Sequence, residues 1–404
     1  MSINATVQYS ILCRQYATVQ DYTSHFGFGE TLAGLIGIEC TTIWNHTSHD
    51  DPLWSARALI DNPGEIKRVH TSFLHSGANI ILTDSYQASI EGFCRHAQCT
   101  SEAAISVIKR SVSIAKEACQ EFLEETQNKE GNELSRNLLV GGSVGPYGAC
   151  QFDKSEYHGN YVDKMNLEEL KSWHRPRIKI LVEAGVDFLA VETIPALVEA
   201  EAILQVLNEF PSVICWVSFS CKDQTHLCHG EKFCDAVTTV ETYKQVEAVG
   251  INCSAPEHVQ GLLSSIHGKS TKPIVVYANN GQEWWKKRFD NNPDYISYVL
   301  GWLEQGAKII GGCCGVTPAD IEDIRNAIKD SYCNSGQLID NATRVTMKTT
   351  TTNTPEKISD SGVNYSYRRH ECYVIWKKLF LEILDKHAPL QYKKSDQRKY
   401  LGLK

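Results

Sequence analysis

Short apolar strands alternate with amphipathic helices from about residue 50 to residue 330. Three helix–strand junctions share one pattern, in which a glycine is followed by a small residue, a polar residue and an apolar strand; they lie at residues 76–81, 184–189 and 305–310. Short strands that are apolar throughout are typical of a parallel sheet covered by helices. The long single repeat favours an α/β fold of the (β/α)8 TIM-barrel type, with a doubly wound open sheet as the alternative. The seven predicted strands are Ala78–Thr83, Leu138–Ser143, Phe188–Glu192, Ile214–Phe219, Val249–Asn252, Ile274–Ala278 and Ile309–Gly312.

Composition narrows the class of protein. The 404 residues are 42% hydrophobic and 22% charged, which is ordinary for a globular protein, and the net charge of −8 gives no sign of nucleic-acid or anionic-membrane binding. No stretch approaches the roughly 20 apolar residues of a membrane helix, and residues 1–13 do not resemble a signal peptide. We therefore expect a cytoplasmic protein that acts on small molecules and keeps its 15 cysteines reduced.

Three cysteines stand at the ends of predicted strands. Cys313 and Cys314 lie between glycines after one strand, and Cys253 closes another. Adjacent residues on a strand point to opposite faces, so two neighbouring thiols converge only where the strand has turned. Three thiolates from two strand ends suit a Zn²⁺ site with an open fourth position. The alternatives are small buried side chains, or a structural zinc site, which would need a fourth protein ligand.

A carboxylate also ends a predicted strand, since Glu192 follows four apolar residues. Active sites of (β/α)8 barrels lie at this end of the strands, so Glu192 is a candidate substrate-binding residue, with an exposed acid at a loop edge as the alternative. The glycine-rich run Gly141–Gly148 lacks dinucleotide-binding spacing and is better explained as a tight turn at the barrel mouth. Other polar residues at strand ends are Asp84, Ser85, Ser143, Ser220 and Asn279.

Seven stretches, in order along the chain, match one known family: Asp51–Ala56, Ser85–Ser89, Gly142–Ala149, Ser155–Tyr157, Val191–Pro195, Gly250–Cys253 and Gly311–Gly315. In these stretches the chain resembles the zinc-dependent homocysteine S-methyltransferases that use S-methylmethionine or S-adenosylmethionine as donor. The resemblance implies that Cys253, Cys313 and Cys314 bind Zn²⁺ and that Glu192 binds the amino group of L-homocysteine. It also implies methyl transfer from a sulfonium donor to the zinc-bound thiolate of homocysteine, giving methionine. Betaine-using relatives share the zinc motif but match the other stretches less well.

The N-terminal region, residues 1–50, departs from the family. When the family's first strand is aligned on Thr31, its aspartate falls on Phe26, and residues 39–50 look inserted. The first barrel strand is therefore predicted to be degraded or missing. Leu32–Ile38 is a possible replacement, although Gly34 and Gly37 interrupt its apolar pattern.

The chain divides into this aberrant region, a barrel over residues 51–330 and a basic tail over 331–404. The tail has 13 Lys and Arg against 7 Asp and Glu, a balance of +6. It contains a Thr-rich linker at 347–361, a predicted helix at 373–384 and a stretch at 379–390 that resembles linkers of non-LTR retrotransposon polyproteins. Besides an active methyltransferase, two interpretations stay open: an impaired or inactive zinc-binding barrel from a disturbed gene model, and a thiol redox or structural protein that switches through Cys313 and Cys314.

Overall fold

A computed structural model describes residues 12–17, 34–40, 51–129, 138–280 and 295–331. Its strands are β1 (Leu12–Ala17), β2 (Gly34–Cys40), β3 (Ile80–Leu82), β4 (Leu139–Val144), β5 (Phe188–Ile194), β6 (Cys215–Phe219), β7 (Val246–Asn252), β8 (Ile274–Ala278) and β9 (Ala307–Gly312). The predictions for Phe26 and for the tail beyond residue 331 lie outside the described residues.

Helices alternate with these strands. They are α1 (Ala58–Asp61), α2 (Pro63–His75), α3 (Ile90–His96), α4 (Ser101–Lys129), α5 (Leu167–Glu183), α6 (Leu197–Leu207), α7 (Phe233–Val240), α8 (Pro256–Ile266) and α9 (Tyr295–Glu304), followed by a helix over 318–331. The junction glycines Gly77, Gly185 and Gly306 all have positive φ, which explains why the helices stop there. Among the described residues, no helix has the length and apolar character of a membrane span.

The sheet closes on itself. Strands β2 to β9 pair in sequence order, and the parallel pairing of β2 with β9 completes the ring. The predicted (β/α)8 barrel is confirmed, and the doubly wound open sheet is excluded by this closure. All seven strands predicted from the sequence are present as β3 to β9, with ends that differ by up to three residues.

The first position of the barrel is occupied by β2, which runs parallel to β3 and β9. It overlaps the predicted replacement Leu32–Ile38 and carries the two interrupting glycines, so a strand is present there with a degraded sequence pattern. Strand β1 is antiparallel to both β2 and β9. These elements belong to one unit, residues 1–20 and 32–328; of a second unit, residues 21–31 and 329–404, the structure describes 329–331.

The barrel interior is filled by large apolar side chains. The Trp216 ring lies 4.6 Å from that of Phe188 and 6.2 Å from that of Tyr277, and all three belong to one buried cluster with Ile80 and Leu82. Because side chains on a strand alternate between faces, the next inward position on three strands is polar: Ser143, Glu192 and Ser218. The apolar core thus gives way to a polar layer at the carboxyl ends of the strands.

Candidate metal centre and substrate pocket

Three sulfur atoms meet at the carboxyl ends of β7 and β9. The Sγ atom of Cys314 lies 3.7 Å from that of Cys253 and 3.9 Å from that of Cys313, and all three lie within 4.8 Å of one another. Cys253 and Cys313 are buried, whereas Cys314 is only partly buried. The structure therefore brings the three predicted ligands into one three-sulfur cluster.

Strand β8 positions the cysteines of this cluster, because it lies between β7, which precedes Cys253, and β9, which precedes Cys313. The backbone N–H of Cys253 donates to the carbonyl of Tyr277 (3.1 Å), and that of Cys313 donates to the carbonyl of Ala278 (2.7 Å). The two cysteines that arrive from different strands are thus fixed to consecutive residues of the strand between them.

The backbone around the sulfurs takes conformations that depend on particular residues. Cys253 has a φ of 48°, which is uncommon outside glycine and marks a strained position. A Cβ atom on Gly312 would collide with the side chain of Val316, and Gly315 has a φ of 84°. These glycines allow the chain to turn after β9, which lets Cys313 and Cys314 face the same point.

The clustering of the thiols affects their ionisation. Hydrogen bonds from Cys253 and Cys313, followed by burial, raise the pKa of Cys314 well above its ordinary value. Negative charge is unfavourable in this cluster unless a cation accompanies it. A set of sulfur donors suits a soft or borderline metal ion. Within the described residues, this is the one group of three or more Cys, His, Asp or Glu side chains that is arranged to hold a metal ion.

Glu192 lies in the polar layer of the same barrel and is fully buried. Ser143 donates a hydrogen bond to its Oε1 atom, and the Tyr277 hydroxyl donates to Oε2 at 2.9 Å. Tyr277 therefore touches both parts of the site, through its hydroxyl to Glu192 and through its carbonyl to Cys253. Burial argues against the alternative that Glu192 is an exposed acid at a loop edge.

Asn252 ties the end of β7 to the end of β5. Its Oδ1 atom accepts from the Thr193 N–H (2.7 Å) and the Ser218 hydroxyl (2.8 Å), and its Nδ2 atom donates to the Thr193 hydroxyl (2.7 Å). Thr193 has a φ of 59°, which is rare for a β-branched residue. Asn252, the residue before Cys253, thus supports the strained backbone of Thr193, the residue after Glu192. Its position at a strand end did not reveal this role.

Aromatic side chains line the accessible side of the sulfurs. Trp54 and Cys314 pack against the buried pair Tyr86 and Ala149. Tyr157 lies in the same loop as Ala149 and keeps part of its side chain exposed; burial of the rest, followed by charge at Cys253 and Cys314, raises its pKa well above the ordinary value. We call Trp54, Tyr86 and Tyr157 the aromatic wall.

Sequence reasoning did not identify the aromatic wall as part of the site. Its three members lie in stretches that match the family, and that was the available signal. Gln87 fixes the wall's position, since it accepts from the Ser55 hydroxyl (3.1 Å) and donates to the carbonyl of Ala149 (3.1 Å).

Comparison with known proteins assigns the family. The homocysteine S-methyltransferase family model matches residues 32–328. The chain is 40% identical over 292 residues to a betaine-homocysteine S-methyltransferase of Drosophila melanogaster, covering 69% of this chain and 87% of that protein. It is 41% identical over 281 residues to homocysteine S-methyltransferase YbgG of Bacillus subtilis, covering 68% and 87%. The two relatives thus match the chain to nearly the same extent.

A solved structure supports the same relationship. The metallated form of the homocysteine methyltransferase MmuM from Escherichia coli matches with a TM-score of 0.61 and 38% identity, covering 70% of this chain and 90% of that chain. The match spans most of the barrel that carries the three-sulfur cluster.

Proposed function

Because the chain belongs to the homocysteine S-methyltransferase family, we propose that it moves a methyl group from a sulfonium donor to the sulfur of homocysteine beside a zinc ion held by Cys253, Cys313 and Cys314. Methyl transfer to homocysteine is the reaction of the family, and the chain is a methyltransferase of this kind. The convergence of three thiols in the barrel mouth carries the proposal, and the interpretation as an impaired barrel is not favoured.

Zinc is the metal that the donor set fits best. Tetrahedral zinc with Zn–S bonds of about 2.3 Å separates neighbouring sulfurs by about 3.8 Å. The distances from Cys314 Sγ to the Sγ atoms of Cys253 and Cys313, 3.7 and 3.9 Å, match that spacing. Three protein ligands leave a fourth position for the substrate thiol, and the partial exposure of Cys314 gives access to it.

The residues of the chain bind and orient the acceptor. Glu192, held by Ser143 and Tyr277, offers a buried carboxylate to the ammonium group of homocysteine. A metal ion held by the three cysteines would act as a Lewis acid and lower the pKa of the substrate thiol from about 8.5, so that the thiol loses its proton to solvent. The thiolate sulfur then forms a bond to the methyl carbon, and the donor carbon–sulfur bond breaks with its electron pair remaining on the donor sulfur. The products are methionine, a neutral thioether and the released proton.

The aromatic wall fits a cationic donor. Aromatic faces attract cations and exclude water, and Trp54 and Tyr86 lie beside Cys314, where the transferred methyl group must arrive. A sulfonium is already a good leaving group, so orientation is the main task left to the protein. We propose that the reaction takes place in the cytoplasm, where a reducing environment keeps thiols available as metal ligands.

We also propose that the reaction needs only the barrel and not the tail, because the family match ends at residue 328. A chain truncated after Ser331 should keep the kcat and KM of the full chain. A loss of activity without unfolding would assign the tail a role in the reaction.

Metal analysis of cysteine variants tests the site. We expect about one zinc per chain in the unchanged protein, and much less in Cys253→Ser, Cys313→Ser and Cys314→Ser. Cys215→Ser is the matched control, because Cys215 is a buried thiol at the start of β6, away from the cluster. Full zinc occupancy in all three site variants would overturn the assignment.

Donor assays test the substrate class. We expect methionine formation from homocysteine with S-methylmethionine or S-adenosylmethionine, and little with betaine at the same concentration. A reversed order would replace the sulfonium donor by a quaternary ammonium donor.

Glu192→Gln should raise the KM for homocysteine at least tenfold while zinc stays bound, because an amide lacks the charge that pairs with an ammonium group.

A further inference from the structure

The loop between β4 and α5, residues 145–166, carries Tyr157 of the aromatic wall. It contains three short 3₁₀ turns and no longer element, so its shape depends on contacts with neighbouring residues. Two points on this loop, Tyr147 and Tyr161, are joined to one residue elsewhere in the fold. That residue is Glu199 in the first turn of α6.

Glu199 is fully buried, and each of its two carboxylate oxygens accepts a hydrogen bond from a different end of the loop. Oε1 accepts from the backbone N–H of Tyr147 at 2.6 Å, and Oε2 accepts from the hydroxyl of Tyr161. Nε2 of His174 lies 2.9 Å from Oε1. Burial lowers the pKa of His174, so its ring is neutral at pH 7 and donates through Nε2–H. Three donors thus compensate one buried charge.

Helix α5 packs against Tyr147, one of the two tyrosines that Glu199 binds. The Trp173 ring lies 5.1 Å from that of Tyr147, which lies 5.3 Å from that of Tyr161. The buried Arg177 guanidinium lies 4.7 Å from the Trp173 ring and donates to the carbonyls of Tyr86 (2.7 Å) and Gly145 (3.0 Å). The loop that carries Tyr86 and the loop that carries Tyr157 therefore both contact helix α5.

We propose that Glu199 is a positioning residue for methyl transfer: it binds both ends of the segment Tyr147–Tyr161, which packs against Cys314 through Ala149, and it thereby sets the position of Tyr157. This role rests on the proposed donor side of the site, because Tyr157 is part of the aromatic wall. Glu199 itself lies behind the loop and acts on the substrate through the segment that it binds.

Glu199→Gln is the informative substitution because it preserves the shape of the side chain. The amide can keep its oxygen toward the Tyr147 N–H and His174 and turn its NH2 group toward the Tyr161 hydroxyl, which can accept a hydrogen bond. What the substitution removes is the carboxylate charge, so all of these charge-assisted hydrogen bonds become neutral and weaker. We expect kcat/KM for the sulfonium donor to fall about 10-fold to 100-fold, while the KM for homocysteine changes less than about threefold and zinc remains bound.

Glu209→Gln is the matched control. Glu209 follows α6 and pairs with Arg175 on α5 at 2.9 Å, so it joins the same two helices, but at the surface and without touching the loop. We expect kinetics close to those of the unchanged protein. Equal losses in both variants would refute the positioning role, because they would show a general effect of weakening the contact between α5 and α6.

A double-mutant cycle with Tyr157→Ala separates positioning from general destabilisation. If Glu199 acts through Tyr157, then Glu199→Gln should cost less than about twofold once Tyr157 has been removed. Fully multiplicative losses would mean that Glu199 supports the site by another route, and the proposal would be wrong.

Hydrogen exchange of residues 147–161, followed by mass spectrometry, provides a readout that does not require turnover. Exchange in this segment should accelerate at least tenfold in Glu199→Gln and stay unchanged in Glu209→Gln. Unchanged exchange in both variants would refute the positioning role whatever the donor is. If the unchanged protein used no sulfonium donor, the proposal of a sulfonium substrate would be wrong. The hydrogen-exchange rates would still test the role of Glu199.

Discussion

Replacing Asn252 by alanine tests whether the strand ends that carry Glu192 and Cys253 are held together by side-chain hydrogen bonds. Asn252 is fully buried and makes three of them, two to Thr193 and one to Ser218, at 2.7 to 2.8 Å. The alanine variant removes all three and leaves the N–H of Thr193 without that partner. Thr193 would then have to keep its φ of 59° without support.

The expected loss of stability follows from these contacts. Each buried neutral hydrogen bond contributes about 1 kcal/mol, and a buried donor left unsatisfied adds about 1–3 kcal/mol. The free energy of unfolding should therefore fall by about 4–6 kcal/mol, a large part of the 5–15 kcal/mol typical of a folded protein. For a domain of this size, about 2 °C of melting temperature corresponds to 1 kcal/mol, so the midpoint should fall by about 8–12 °C.

Thermal unfolding monitored by fluorescence measures this shift. Asn208→Ala serves as the control, because Asn208 is an exposed residue at the end of α6 and its loss should change the midpoint by about 1 °C or less. Zinc affinity should also fall in Asn252→Ala, because Cys253 is the next residue. A midpoint within about 2 °C of the unchanged protein would refute the reasoning about Thr193.

Three further outcomes can be checked with single variants. Tyr277→Phe removes the hydroxyl that donates to Glu192, so the KM for homocysteine should rise about 10-fold with zinc still bound; an unchanged KM would show that this hydrogen bond does not orient the acceptor. Burial lowers the pKa of His70 to about 3, below the unfolded value of 6.5, so the unfolded chain binds more protons in this window and stability falls as the pH drops. The loss should be about 2 kcal/mol between pH 6.5 and pH 5, measured by urea unfolding, and smaller in His70→Gln; equal losses in both proteins would contradict this cause. Gly312→Ala should lower zinc occupancy because its Cβ atom meets Val316, and adding Val316→Ala should restore part of it; full occupancy in the single variant would contradict the steric explanation.

The sequence was sufficient to predict the architecture and the convergence of three cysteines, and the reason is physical. In a parallel barrel all strands end at the same edge, so residues that follow different strands must meet. Cys253 follows β7 and Cys313 follows β9, so predicting where these two strands end was enough to predict that the two sulfurs meet. The turn that lets Cys314 join them was indicated by the flanking glycines.

The residues that support the site were not predictable from the same signals. Tyr277 lies within an apolar strand, where an aromatic residue has the pattern of core packing, and only the register of β8 reveals that its hydroxyl reaches Glu192. Glu199 lies in a helix, where acids are usually solvent-exposed. Its burial depends on tertiary contacts with Tyr147 and Tyr161, which a local pattern does not encode.

The first strand shows a different limit. Gly34 and Gly37 weaken the apolar pattern of β2, and glycine is unfavourable within strands. The strand is nevertheless present, because its neighbours β3 and β9 offer backbone hydrogen-bonding partners on both sides. Closure of the barrel can thus impose a strand where local propensity argues against one.

Removal and restoration of zinc tests the central claim most directly. The protein is stripped with a chelator under reducing conditions, titrated with zinc and assayed for methionine formation from homocysteine and S-methylmethionine. We expect activity to vanish in the stripped protein and to return in proportion to added zinc, saturating at about one equivalent per chain. Full methyl transfer by the metal-free protein would contradict the role of Cys253, Cys313 and Cys314.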